Sequence, residues 1–448
     1  MPSWSPFNPT DAVPWNLQRV VHLHRRAAFG ATWTEIDRDL REGPEVAITR
    51  LIEGKARLEG VPDGFESLAA IIGQAAVDSG SAERLKAWWL YRCLFSPHPL
   101  QERLTLMWHN HFATSNLKVD DLRLMKRQNE LLRQRALAPF SELLTAMIHD
   151  PALLKFLDAP SNRKEHPNEN LGRELMELFT LGIGQYAEAD VKQAARALTG
   201  WTVRQGEFFD QPAAHDDAEK TILGRTGDWN GTDLLKILLE QPATARRLAW
   251  RLCSEFCGER VADDKALDEL ADGLRAHNLD IRWGVETILR SELFFSGTNL
   301  EGRVCDPVSY VVGPLRALEC WRDPPSTIVL AEWLRRMEQD LFYPSNVGGW
   351  PGGRAWLSTR AIIARANCMA ALAAGELASP PRPPDLEKLA ARHCGEQTAA
   401  DAARFLSRLL FGRVLDDMLA PVQPAVDGQS PLTQAFLALL TSPQAHLH

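Results

Sequence analysis

Asn168-Glu169-Asn170-Leu171-Gly172-Arg173-Glu174-Leu175-Met176-Glu177-Leu178 decides how this chain is read. Pro167, just before it, suits the first turn of a helix, where the missing N–H would have had no partner anyway. Leu171, Leu175 and Leu178 then return at helical spacing. At about 100° per residue, Glu169, Arg173 and Glu177 share one narrow sector, bordered by Asn170 and Glu174. An ordinary solvated face mixes in lysine. This one holds carboxylates, a guanidinium and amides without any lysine. Such a set can bind a cation, hold a substrate, or lock itself into an ion-pair lattice.

The same periodicity runs outward in both directions. Helices are expected near 15–28, 82–95, 98–115, 118–135, 187–199, 242–257 and 356–375, among many others. Clean strand alternation is scarce, and its best case is a small hairpin near 201–209. The fold class is therefore all-α, a large multi-helix body with at most that hairpin. A Pro-rich connector beginning at Ser379 divides a main helical domain over 1–378 from a C-terminal helical appendage over 379–448. A softer polar break spans roughly 204–232, and no fixed-period repeat is present.

The chain has 448 residues, 45% apolar and 24% charged, the balance of a globular protein with a sizeable core. A formal charge of −8, with arginines interspersed among acids, argues against nucleic acid as a partner. No apolar run approaches the ~20 residues of a membrane span. The first thirty residues carry prolines and charges rather than a signal-peptide core, so the chain as written is expected in the cytoplasm. Its seven cysteines are scattered without a CxxC pair, which points to neither a disulfide framework nor a zinc ribbon. Cys253 and Cys257, four apart on an expected helix, read as core packing. Phosphate-binding loops, dinucleotide fingerprints, zinc-protease motifs and nucleophile elbows are absent. Glu174 and Glu177 have the spacing of a ferritin-like Glu-x-x-His pair, but Glu stands in both places.

Several other residues can carry chemistry. In Trp108-His109-Asn110-His111-Phe112 the two histidines are two apart, so on a helix they point some 200° away from each other. His111 shares a face with Leu104, Met107 and Trp108 and is expected to be buried, whereas His109 is expected at the surface. His22 and Arg26, one helical turn apart, form either an anion pocket or part of a packed helix face. His215-Asp216-Asp217 is either a metal ligand with its orienting carboxylate or an ordinary polar turn. The Gly- and Pro-rich run Tyr343–Trp356 imposes a defined loop, whose Trp350 either lines a pocket or anchors the loop to the core.

Five blocks in order, His22–Gly30, Trp108–Ser115, Asn168–Gly182, Asp190–Trp201 and Asn346–Gly353, resemble the DUF1800 family of bacterial proteins of unknown function. The resemblance covers about residues 15–375. It implies a helical fold and a partner of the DUF1501 family, which is sulfatase- or alkaline-phosphatase-like and encoded alongside. The chain departs from many relatives in having Phe179 where they place His, and Gln241-Pro242 where they place His-Pro. Secreted relatives carry export signals that are not seen here. A fainter similarity to animal-type haem peroxidases implies haem, with His111 and Arg173 on the peroxide side and His215 on the iron.

Two functions follow as expectations. The first is a metal- or cofactor-dependent enzyme, oxidoreductase favoured and hydrolase possible, with its site between helices. A divalent transition metal would be held among His111, Glu169, Glu174, Glu177 and His215. His111, Arg173 and Glu174 would be catalytic, with His22, Arg26, Asn170 and Trp350 on the substrate. The second is a non-catalytic binding or maturation partner of a DUF1501-like protein, the polar helix being a buried structural network.

Overall fold

A computed structural model describes residues 3–54, 64–320, 324–395, 398–419 and 430–448. The protein is mostly helical, at 61%, with two small antiparallel hairpins. Helices begin where the sequence supplies caps. Thr32 and Glu35 form a reciprocal capping box at the start of Trp33–Glu42. Asp263 caps Asp264–Ala276 through Ala266 N at 2.8 Å. The helix expected at 118–135 is split into Asn116–Val119 and Leu122–Gln134. Asp120 turns left-handed there, at φ 49°, and the Asp121 carboxylate accepts from Arg123 N and Leu124 N at 3.1 Å each.

Trp201–Arg204 pairs with Glu207–Asp210, giving the expected hairpin. A second, Lys220–Ile222 with Arg225–Gly227, stands inside the segment read as a polar break. Both close through two residues at positive φ, Gln205-Gly206 and Leu223-Gly224. That geometry matches the right-handed twist of paired strands. Leu223 is an uncommon residue for it, which is why the second turn left no mark in the sequence.

Two apolar clusters make the interior. Trp88, Trp89, Phe342, Trp356, Phe405 and Phe436 belong to one, so helices beyond the Pro-rich connector share it. Trp108, Phe112, Phe140, Phe179, Phe256 and Phe294 belong to the other. The Pro99–His111 helix runs between them, giving Leu106 to the first and Leu104, Met107 and Trp108 to the second. Being covered on all sides, it must pair its charges inside. Glu102 accepts from Arg92 at 2.8 Å and from Arg133 at 2.7 Å. Arg103 meets Glu255 at 2.6 Å and Asp306 at 2.8 Å. His109, expected at the surface, is fully buried instead, its ring packed against Trp89, Phe342 and Trp350. The expectation assumed one solvent-facing side; this helix has none.

Candidate functional site

A cavity of about 540 Å³ opens where the end of the Pro99–His111 helix, the Pro242–Phe256 helix and the Gly-rich loop meet. Pro242 starts its helix in the first turn, and Ala245, Leu248, Ala249, Leu252 and Phe256 bury one stripe. The remaining face carries Arg247, Trp250, Arg251 and Ser254 at spacings of three and four, and all four line the cavity. The Arg247 guanidinium lies 4.4 Å over the Trp250 ring and 3.4 Å from the Leu178 carbonyl. Arg251 donates to the Met107 carbonyl at 2.9 Å, and its buried Nε has no partner. Among the described residues neither guanidinium forms an ion pair. Burial lowers both, Arg251 to about 10.

Across the cavity the polar helix changes pitch. Asn170–Glu174 is α-helical, and Leu175–Thr180 widens into a π turn. Leu181 N there donates to Met176 O at 2.8 Å, five residues back. The carbonyls at the end of this wide turn face other elements. Leu178 O faces Arg247, and Phe179 O accepts from His111 Nε2 at 3.2 Å. That bond fixes the proton on Nε2 and leaves a lone pair on Nδ1. Burial, then the Arg251 and Arg247 charges, hold His111 well below the ordinary imidazole pKa, so it is neutral.

The Gly-rich loop is pinned to the same helix end. Asn110 Oδ1 accepts from Trp350 N at 2.7 Å. Gly349 has φ 89°, and a Cβ there would meet Asn110 Oδ1 at 2.2 Å, so this contact requires glycine. Trp350 thereby both anchors the loop and lines the cavity, 4% exposed. At the inner end Arg303 lies 3.5 Å from both Glu255 and Asp306, the carboxylates that also hold Arg103. Glu255 and Asp306 pair with Arg103 and Arg303, and Glu255 also acts on Arg251 through space, while neither Arg247 nor Arg251 forms an ion pair among the described residues. Cys253 and Cys257 line the wall, but their mutual hydrogen bond and burial push the Cys253 thiol well above its usual value. It offers no thiolate.

Of the residues expected in a site, His111 and Trp350 come together and the others do not. Arg173 bonds Glu169 at 2.9 Å and Glu188 on the next helix, a half-exposed lattice away from the cavity. Glu177 accepts from the Tyr186 hydroxyl. Glu174, half-buried, has its carboxyl raised by burial and then by Glu177. Asn170 donates to Asp158 at 3.0 Å. His22 donates to Phe294 O at 3.1 Å, and Arg26, fully buried, donates to Phe256 O at 2.8 Å and Asn299 O at 3.0 Å. Both therefore serve packing by satisfying loose main-chain carbonyls. His215 Nδ1 donates to Thr199 O at 3.0 Å, and its neighbour Asp216 pairs with Arg196. Among the described residues no three His, Cys, Asp or Glu side chains gather closely enough to hold a metal ion. Of His111, Arg173 and His215, the three residues of the haem similarity, His111 alone lines this cavity.

Arg247 and Arg251 were not singled out from the sequence. Their signal was nonetheless there. Arg246 has acids within reach on the neighbouring helix and pairs outward with Asp264 and Asp268, at 2.6 and 2.7 Å. Arg247, Trp250 and Arg251 form a separate stripe beside the buried Ala245, Leu248, Ala249 and Leu252.

A family model described as "Protein of unknown function (DUF1800)" matches residues 22–447, and the chain belongs to that family. No curated protein and no solved structure matches it. Among the described residues no helix is long and apolar enough to cross a membrane.

Proposed function

We propose that this DUF1800 protein is an enzyme that binds an anionic substrate between Arg247 and Arg251 and uses His111 as a general base in hydrolytic chemistry. The observation that carries the reading is the neutral His111 ring, locked through Nε2 onto the Phe179 carbonyl beside two guanidiniums that form no ion pair among the described residues. A positioned base of this kind contributes roughly 10²–10⁴ in rate. Donors aimed at a developing oxyanion contribute on the order of 10²–10³. The two are coupled. A bound anion offsets the arginine charges that hold His111 down, so the imidazole becomes a better base once the site is filled.

Calorimetric titration of the full chain with sulfate, phosphate and acetate tests the reading. Saturable binding that weakens with ionic strength is expected, falling at least tenfold in Arg251→Met. His111→Gln keeps the affinity and loses turnover of anionic esters. Equal binding by wild type and Arg251→Met sinks the proposal. A second reading, the non-catalytic partner of a DUF1501-like protein, is favoured by one observation: Arg173 is taken up by Glu169 and Glu188, and none of the three lines the cavity.

A further inference from the structure

The mouth of the cavity differs from its interior. Inside, next to Arg251, stand His111, Glu255 and Asp306; at the rim, Arg247 is bracketed by apolar side chains. Its guanidinium covers one face of Trp250, which is 42% exposed. Its alkyl stem abuts the turn at Gly182, where a Cβ would stand 3.8 Å from Arg247 Cδ. The next residue, Ile183, is 79% exposed. Leu178 lines the same opening.

Single exposed apolar residues are ordinary on a protein surface. Here Trp250 lies under a cation that forms no ion pair among the described residues and lines the cavity, and Ile183 follows the turn that the cation's stem abuts, while Arg251 also lines the cavity. This arrangement fits a ligand that is charged at one end and oily at the other. Resting on the anion reading above, we infer that the substrates are amphiphilic anions: a carboxylate, sulfate or phosphate head reaching Arg251 and His111, and an alkyl or aryl tail crossing Trp250 and Ile183. Charge complementarity fixes the orientation. A tail pointing inward would lie against the charged Glu255, Arg303 and Asp306, whereas a tail on Trp250 covers apolar surface already exposed to water.

Titrating the full chain with acetate, hexanoate, submicellar decanoate and 2-naphthoate separates the possibilities. Affinity is expected to rise at least tenfold from acetate to hexanoate. Trp250→Ala combined with Ile183→Ser should bring the ratio of hexanoate to acetate affinity down towards one, whatever the change in acetate affinity itself, with the melting temperature unchanged. Both residues are solvent-facing, so the variant retains its core. Stronger binding of decanoate than naphthoate identifies an alkyl tail, and the reverse an aryl one. Acetate binding without any gain from the tail overturns this inference and leaves the anion site standing. Absence of binding by every probe overturns the anion reading itself.

Discussion

The polar helix at 168–182 and the Pro242–Phe256 helix both carry conspicuous charge, and they use it in opposite ways. In the first, Arg173 is held by Glu169 and Glu188, and Glu177 by Tyr186. Its one guanidinium is paired at the surface, with Arg173 34% and Glu188 59% exposed, and its carboxylates are in excess. In the second, Arg247 and Arg251 form no ion pair among the described residues and bond main-chain carbonyls, with Arg247 also over an indole ring. Density of charge in a sequence is therefore a poor guide to charge available for a ligand. What matters is whether the fold supplies the counter-charge, and counter-charges come from distant parts of the chain. Glu255, four residues after Arg251, is committed to Arg103.

The largest expected effect concerns the extreme of the unpaired region. His109 is fully buried, both ring nitrogens lack a partner, and burial pushes it down to about 3. The unfolded chain binds its proton near pH 6.5 and the folded protein only near 3, so stability falls as pH drops through that window. Chemical denaturation at pH 7 and pH 4 should register a loss of about 3 kcal/mol from this residue. His109→Phe should remove that component. An unaltered acid sensitivity in the variant would mean that another group dominates.

Arg251→Met comes next. Removing a buried cation whose burial outweighs the pull of Glu255 and that forms no ion pair among the described residues should leave the denaturation midpoint unchanged or raise it, even as anion affinity falls. A clear loss of stability would erase the distinction between the two helices, because Arg251 would then be structural as well. The smallest effect is expected at Arg173→Met. Solvent-exposed ion pairs contribute little, so neither the denaturation midpoint nor acetate affinity should move. A drop in acetate binding there would return the polar helix to the site.

Helix positions were largely legible, because apolar spacing and caps are local. Leu17–Ala27, Ala82–Phe95 and Pro242–Phe256 lie close to the ranges that periodicity suggests. The site was legible only in part. His111 and Trp350 announced themselves through neighbouring aromatic residues and glycines, and both line the cavity. His22 and Arg26 looked like a basic pocket, but their partners, the carbonyls of Phe294, Phe256 and Asn299, lie more than two hundred residues away. Helical periodicity cannot reveal such long-range partners. The exposure of His109 was misjudged for a related reason: periodicity describes one helix, not what covers its second face.

The π turn at Leu175–Thr180 has a consequence for how this site can change. The atom that sets the His111 tautomer is a main-chain oxygen, so it survives any replacement of the Phe179 side chain. Point mutation at 179 can reshape the apolar packing without reversing the ring. Loss of one residue from the wide turn is another matter, since the helix would tighten and draw its terminal carbonyls back into its own ladder. In this protein the nitrogen of His111 that carries the proton is set by the length of the chain through the wide turn rather than by the side chain at 179.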